Sequence, residues 1–141
     1  PRACLSNGTL SPNTVKTPVV GYHHTIVSNE TDLMFAVAQQ PVSIAVYSGL
    51  GAFTTYSGGI FYDKGCEDVT SEMLDHAVLL VGYGTQNSSA FDSSLQDEIP
   101  YWVVAIGGCT DWGEHGYYRV VRGVNECGVA NLATHSVAKK L

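Results

Sequence analysis

Residues 76–83, HAVLLVGY, are the stretch that decides the fold, because all but the first are apolar or glycine. A strand that is apolar on both faces lies inside a sheet and is covered on each side. An acid-rich polar segment, 63–75, precedes this stretch, and a Ser/Asn/Asp-rich segment, 84–100, follows it. We therefore predict a central strand over 76–83, between a loop that holds Cys66 and a solvated surface loop over 84–100.

Shorter strands and one helix are predicted on either side of this centre. Asn29 has the chemistry of a helix cap, and apolar side chains follow at helical spacing until Pro41 stops the helix. Residues 1–20 lack periodicity and predict an extended loop. Alternating or β-rich runs predict strands over 21–28, 42–47, 58–62, 101–106 and 117–122. Six strands and one main helix predict a β-dominated α+β domain built on an antiparallel sheet.

The composition limits the class of protein. The chain has 141 residues, of which 45% are hydrophobic and 14% are charged, so it has enough apolar surface to fold as one domain over 1–141. Seven basic and thirteen acidic side chains give a formal charge of -6, which disfavours nucleic acid as a partner. The longest apolar runs, 33–38 and 101–106, are far shorter than the ~20 residues that span a bilayer, so no membrane span is expected.

Cysteines and glycosylation sequons point to an oxidising compartment. The chain begins at Pro1 rather than at Met, which we interpret as a processed product or a fragment. Three sequons favour the secretory route, and their acceptors are Asn7, Asn29 and Asn87. No C-x-x-C pair occurs, so the cysteines predict disulfides rather than a zinc site, and we expect neither metal nor cofactor. The four cysteines are Cys4, Cys66, Cys109 and Cys127.

Histidine is the candidate for acid–base chemistry, because imidazole titrates near neutral pH. His23 and His24 are predicted to point to opposite faces of one strand, and His115 and His135 have no partner pattern. His76 differs because it opens the central strand directly after an acidic loop, where a rigid backbone can hold a side chain at the rim of a cleft. Its position alone would still favour a structural histidine.

The segment around His76 resembles a known family. Residues 74–84, LDHAVLLVGYG, resemble the histidine strand of papain-like cysteine peptidases, the cathepsins included. The resemblance continues, in the family's order, through QPVSIAV (40–46), YSGGIF (56–61), YWVV (101–104), TDWGEHGYYR (110–119) and RGVNECG (122–128). It covers nearly the whole chain. It implies the barrel-like, β-rich C-terminal lobe of a two-lobed fold, whose N-terminal lobe, which carries the nucleophilic cysteine, is absent from this chain.

The resemblance assigns His76 to the catalytic histidine but leaves that residue without its usual support. The family orients the ring with an asparagine and shields that bond with a tryptophan, and at the matching positions this chain has Ile106 and Gly108. Isoleucine accepts no hydrogen bond. The resemblance therefore implies impaired or lost activity, unless Asp111 or a backbone carbonyl near Gly107 takes the asparagine's role.

Further roles follow from the same resemblance. It implies a disulfide between Cys66 and Cys127, pairs Cys4 with the absent lobe, and gives Cys109 no partner. It also places six residues in substrate binding, although plain core packing would be favoured for the apolar ones without it. These six are Ala45, Leu74, Asp75, Ala77, Trp112 and Leu132.

The resulting hypothesis is the histidine-bearing lobe of a papain-like peptidase homologue, inactive as an isolated chain. Its expected partners are the N-terminal lobe of the same peptidase and a peptide or protein substrate. Its expected location is the secretory pathway, either extracellular or lysosomal/vacuolar. Two alternatives remain: an active processed chain that needs its separate N-terminal half, and a non-catalytic binding or scaffold homologue.

Overall fold

The computed structural model describes residues 18–87, 98–107 and 110–139. The helices in these ranges are α1 (Glu30–Val37) and α2 (Gly51–Thr54), and single turns of 3₁₀ helix lie at Lys64–Cys66, Ser71–Met73 and Glu126–Gly128. The strands are β1 (Val19–His24), β2 (Val42–Val46), β3 (Ile60–Phe61), β4 (His76–Asn87), β5 (Glu98–Ala105), β6 (Tyr117–Val121) and β7 (Ala133–Ala138). Within this part of the chain, neither helix has the length and apolar character needed to cross a membrane.

The strands form one sheet in the order β1-β7-β2-β4-β5-β6-β3. β4 is fourth of the seven, so the prediction of a central strand that begins at His76 is confirmed. All neighbours pair antiparallel except β3 and β6, which are parallel. The fold is thus β-dominated α+β with a mixed sheet.

Helix α1 begins at the cap that the sequence predicts and ends before Pro41. The Asn29 side chain accepts a hydrogen bond from the Asp32 backbone N–H at 2.9 Å, which satisfies one of the free donors at the helix start. The last helical residue is Val37, four residues before Pro41. The face of α1 that carries Leu33 is buried in the core.

The core lies on the face of the sheet to which β4 contributes Val78 and Leu80. Alternation along a strand places every second side chain on one face, and these two are buried while their neighbours Ala77 and Leu79 are exposed. The largest fully buried side chains of the described residues are Trp102, Tyr118, Leu33, Ile44 and Leu80. One core cluster therefore joins α1, β2, β4, β5 and β6.

The prediction of a surface loop over 84–100 is wrong for the part that the structure describes. Residues 84–87 extend β4 and residues 98–100 begin β5, with Thr85 opposite Pro100 and Asn87 opposite Glu98. A hairpin can lengthen through cross-strand backbone hydrogen bonds without an apolar period, so its polar sequence carries no strand signal. Residues 88–97 lie outside the described ranges.

Strands β1 and β7 also differ from the predictions. β1 covers Val19–His24 instead of 21–28, and the chain after His24 turns through Ser28, whose φ is 59°. Strand β7 was not predicted, because Ala133–Ala138 is short and its middle is polar. Its extended conformation is supported by pairing with β1 and β2, which are remote in sequence.

Candidate functional site

His76 is the first residue of β4 and is held there by β2. His76 pairs with Val46, and the Asp75 backbone N–H donates to the Val46 carbonyl at 3.1 Å. By strand alternation the His76 side chain shares its face with the buried Val78. The ring is half-buried at the end of this face. A fixed backbone therefore carries a partly accessible imidazole, as the sequence predicts.

An open pocket of about 360 Å³, which we call the histidine pocket, lies beside this ring. The Phe53 ring meets the His76 ring edge to face, with centroids 6.0 Å apart. Phe53 also packs on Trp112 at 5.2 Å and on Tyr118 at 5.3 Å, so the imidazole rests against a rigid aromatic cluster. The residues that line the histidine pocket are Ser48, Phe53, Thr54, His76, Ile106 and Trp112.

Ile106 faces the same pocket as His76. It follows directly after β5, and its backbone N–H donates to the Gly116 carbonyl at 3.0 Å. Its side chain packs against the core and offers no acceptor to the imidazole. Within the described ranges no hydrogen bond joins the His76 ring to Asp111, to Gly107 or to any other residue, while Gly108 lies outside those ranges.

The Asp75 carboxylate binds Ser48 in the turn that follows β2. Its Oδ1 accepts from the Ser48 backbone N–H at 2.7 Å and from the Ser48 hydroxyl at 2.9 Å. These two bonds fix the chain after β2 at the edge of the histidine pocket. This role of Ser48 could not be predicted from the sequence, nor could the positions of Phe53 and Thr54 in the pocket, because each contact joins segments that are distant along the chain.

A second, shallower depression of about 320 Å³ lies on the outward face of the sheet, and we call it the outer groove. Ile106 lines both the histidine pocket and the outer groove, so the two depressions adjoin. The residues that line the outer groove are Ser43, Ala77, Val78, Leu79, Ala105, Ile106 and Gly107.

Three of the six residues expected to bind substrate lie together near this groove. Ala45 pairs with Ala77 across β2 and β4, and the Ala45 backbone N–H donates to the Leu132 carbonyl at 3.0 Å. Leu132 is 48% exposed, so its side chain remains available for contact. These backbone contacts make the three apolar residues neighbours in a small patch, and none of them is basic.

The other three residues lie apart from this patch. Trp112 lines the histidine pocket, where its Nε1 donates to the Thr54 carbonyl at 3.1 Å. Asp75 is exposed and bound to Ser48. Leu74 is half-buried, and its Cδ2 lies close to the backbone of Gly128, within 2.9 Å of where a Cβ on that glycine would stand.

The disulfide expected between Cys66 and Cys127 is present, with the two Cα atoms 4.4 Å apart. Glu126 lies beside it, and the donor atoms of these three residues are all within 4.8 Å of one another. Because the two sulfurs are bonded to each other, they are not free thiolate ligands. Cys4 and Cys109 lie outside the described residues.

Two buried or half-buried carboxylates near the site have shifted pKa values. Glu126, 2% exposed, accepts from the Asp63 backbone N–H at 2.7 Å, and its burial raises the pKa of its carboxyl. Hydrogen bonds from Arg119 lower the pKa of Glu114, whose Oε1 also accepts from the Gly59 backbone N–H at 3.0 Å. Glu114 thus binds the chain just before β3, and Glu126 binds it just after β3.

The sequons fall in different settings. Asn29 is the half-buried cap of α1, and Asn87 is the exposed last residue of β4. Asn7 lies outside the described residues.

Comparison with known proteins places these features in a family. The family model described as papain family cysteine protease matches residues 2–137. A cathepsin L-like protein of Caenorhabditis elegans is 42% identical over 117 residues, which cover 82% of this chain and 31% of that relative. Procathepsin L of Felis catus is 38% identical over 111 residues, covering 77% of this chain and 31% of that relative. The chain thus spans about a third of the length of the curated relatives it matches.

Solved structures of two proteins also resemble the fold of this chain. Digestive procathepsin L 3 of Tenebrio molitor superposes with a TM-score of 0.70 at 35% identity, over 84% of this chain and 35% of that one. The bromelain protease of Ananas comosus gives a TM-score of 0.69 at 29% identity, over 86% of this chain and 51% of that one.

Proposed function

Because this chain belongs to the papain family of cysteine proteases, we propose that it forms the histidine-bearing C-terminal lobe of a two-lobed peptidase homologue with impaired peptide-bond cleavage. The observation that carries the proposal is the histidine pocket, where His76 stands beside Ile106 with no acceptor for the ring in the described residues. The nucleophilic thiol would come from the N-terminal lobe of the same peptidase.

In the intact parent, His76 would act as the base and then the acid of peptide hydrolysis. The imidazole takes the proton from the partner lobe's cysteine, and the resulting thiolate attacks the scissile carbonyl carbon. The imidazolium returns this proton to the leaving amine as the C–N bond breaks. The same imidazole then deprotonates the water that hydrolyses the acyl-enzyme.

Ile106 weakens this cycle because the ring must keep one tautomer and one angle through both proton transfers. A hydrogen-bond acceptor at the second nitrogen holds both. The edge of Phe53 restrains the ring by packing, but this contact does not select a tautomer. We therefore expect the parent to bind peptides normally and to turn them over slowly.

The apolar patch of Ala45, Ala77 and Leu132 favours a bulky apolar side chain at the second substrate residue before the scissile bond. The carboxylate of Asp75 lies apart from this patch and is engaged by Ser48. A substrate profile led by arginine at this position would contradict that placement of the pocket.

The secretory pathway is the proposed location, either outside the cell or in a lysosome or vacuole. The Cys66–Cys127 disulfide supports an oxidising compartment, because cytosolic reductants keep such pairs as thiols. The sequons at Asn29 and Asn87 are compatible with that route.

The decisive test restores the acceptor. In a chimera that joins this chain to the N-terminal lobe of the Caenorhabditis elegans relative, Ile106→Asn should raise kcat about ten- to a hundredfold with little change in KM, since a hydrogen bond to a charged ring contributes about 1.5–3 kcal/mol. Ile106→Val is the matched control and should leave kcat unchanged. Adding Gly108→Trp to Ile106→Asn should raise kcat further by excluding water from the new bond.

Two results would decide against this proposal. If the chimera with Ile106 is already as fast as the Ile106→Asn/Gly108→Trp variant, another group orients His76 and the active-chain alternative holds. If the restored variant binds peptides but cleaves none, while a His76→Ala variant behaves in the same way, the scaffold alternative holds.

A further inference from the structure

A concavity of about 530 Å³ lies at the start of α1 and shares no lining residue with the histidine pocket. Its walls are residues 26–31 on one side and residues 123–125 on the other. Ile26, Val27 and Val124 line it and are 64%, 63% and 61% exposed. Three large aliphatic side chains are therefore exposed around one depression, whose other walls are mostly polar.

The two walls are tied to the first turn of the helix. The Glu30 carboxylate accepts from the backbone N–H groups of Gly123 and Asn125, the latter at 2.9 Å. On the other wall, the Asp32 carboxylate accepts from the Ile26 backbone N–H at 2.8 Å. These bonds hold the concavity open in the folded chain.

Asn29 is both a lining residue of this concavity and the acceptor of the sequon Asn29-Glu30-Thr31. Its Oδ1 caps the helix through the Asp32 N–H. Among the described residues no hydrogen bond uses its Nδ2. Glycosylation attaches sugar to Nδ2 and leaves Oδ1 in place, so the cap and a glycan are compatible. Thr31, the third residue of the sequon, is exposed.

We propose that Asn29 carries an N-linked glycan whose first N-acetylglucosamine occupies this concavity and covers Ile26, Val27 and Val124. Asn29 is itself part of the wall of the depression, so a sugar attached to its side chain begins at this wall. The N-acetyl methyl group and the apolar face of the ring match the aliphatic side chains, while the sugar hydroxyls remain in water. The inference rests on the secretory route of the proposed function and not on any peptidase activity.

The covalent step is a group transfer without redox change. Asn29 Nδ2 attacks the anomeric carbon of a lipid-linked oligosaccharide diphosphate, and the new C–N bond replaces the C–O bond to the diphosphate. The lipid diphosphate leaves, and Nδ2 loses one proton to a base of the transferase. Transfer takes place on the extended chain, and the concavity then forms around the attached sugar.

Occupancy is tested in the full chain, led into the secretory pathway of cultured eukaryotic cells by a grafted signal peptide. Mass spectrometry of the Asn29 peptide before and after enzymatic glycan release should show occupancy in the unchanged chain and in Thr31→Ser, which keeps the sequon. Thr31→Ala keeps the cap and Asn29→Asp replaces it with another good cap, and neither should carry glycan at this position. An unoccupied Asn29 in the secreted, unchanged chain would overturn the proposal, whatever the peptidase tests show.

Placement of the sugar is tested by hydrogen exchange on chains trimmed to a single N-acetylglucosamine. Compared with Thr31→Ala, the trimmed chain should exchange more slowly at both 26–31 and 123–125, and equally at 76–83. Protection confined to 26–31 would show a glycan that points into solvent. Equal slow exchange at 123–125 in Thr31→Ala would show that another part of the protein covers the concavity, and either result overturns the placement.

Discussion

Phe53 connects the His76 ring to the core of the domain. It is 9% exposed and touches the rings of Phe61, Trp112 and Tyr118 as well as that of His76. The sequence did not reveal this role, because α2 has only four residues and its partners come from four other segments. At the residue scale, the position of His76 at the start of its strand could be predicted, but its aromatic support could not.

Truncating Phe53 should therefore lower the free energy of unfolding more than truncating an exposed phenylalanine. We expect Phe53→Ala to cost about 3–5 kcal/mol, as large-to-small changes in a core do. Phe35→Ala, at a position 64% exposed on α1, should stay within about 0.5 kcal/mol. Denaturant unfolding of the two variants measures the difference, and equal losses would contradict the packing described for Phe53.

Glu114 makes the stability of the fold depend on pH. Hydrogen bonds from Arg119 lower the pKa of its carboxyl, so the ionised form is favoured in the folded state. Its contribution is present above the pKa of the unfolded chain and is lost as the pH falls through the lowered folded pKa. Glu114→Gln should thus reduce the melting temperature at pH 7 and make little difference at pH values below the folded pKa. A constant difference at all pH values would contradict the ionic origin.

The pH dependence that Glu126 gives to the stability of the fold has the opposite direction, and the same melting experiment measures it. Burial raises the pKa of its carboxyl, so the fold favours the protonated form, and this contribution is lost as the pH rises through the raised folded pKa. Glu126→Gln keeps an oxygen that can accept from Asp63. We expect the variant to be as stable as the unchanged chain in acid and no less stable at neutral pH, as melting curves across pH would show.

At the scale of elements, local chemistry decided what could be predicted. Helix α1 has its own cap and stop signals, so it forms where the sequence predicts. The extension of β4 to Asn87 and the whole of β7 depend on partners that are remote in sequence. Backbone pairing across such distances leaves no periodic trace in polar residues. The same dependence hid the contacts of Ser48 and Thr54 in the histidine pocket.

The Cys66–Cys127 disulfide joins two such elements, the 3₁₀ turns at Lys64–Cys66 and Glu126–Gly128. It closes a loop with a sequence separation of 61. Constraining the unfolded chain in this way contributes about 4 kcal/mol in the chain-entropy model. Cys66→Ser/Cys127→Ser should lower the free energy of unfolding by about that amount, measured by denaturant titration. Peptide mapping without reductant that pairs Cys66 with Cys4 or Cys109 would contradict the bridge.

At the scale of the whole molecule, the described part of the chain leaves one face of its sheet open. The outer groove is lined mainly by small or aliphatic side chains, and Leu79 within it is 41% exposed. Because the chain spans about a third of its curated relatives, we expect a further lobe to cover this face in the parent. The strand pattern of β4 predicted burial on both faces, and the described part of the chain covers only one of them.

Leu79 tests this expectation, because it belongs to the groove and not to the core. Leu79→Lys should leave the free energy of unfolding of the isolated chain within about 0.5 kcal/mol, as surface changes do. In the chimera with the N-terminal lobe it should weaken the contact between lobes and lower activity, since a lysine would be buried there without a partner. Phe35→Lys, on α1 and outside the groove, is the control and should keep full activity. We expect the isolated chain to hydrolyse no peptide in any form, because in our proposal the N-terminal lobe would supply both the nucleophile and the hydrogen-bond donors to the oxyanion. Thiol-dependent cleavage by the isolated chain that disappears in Cys109→Ala would contradict this division of the site between two lobes. For the Leu79→Lys variant, full activity in the chimera would show that the second lobe docks elsewhere.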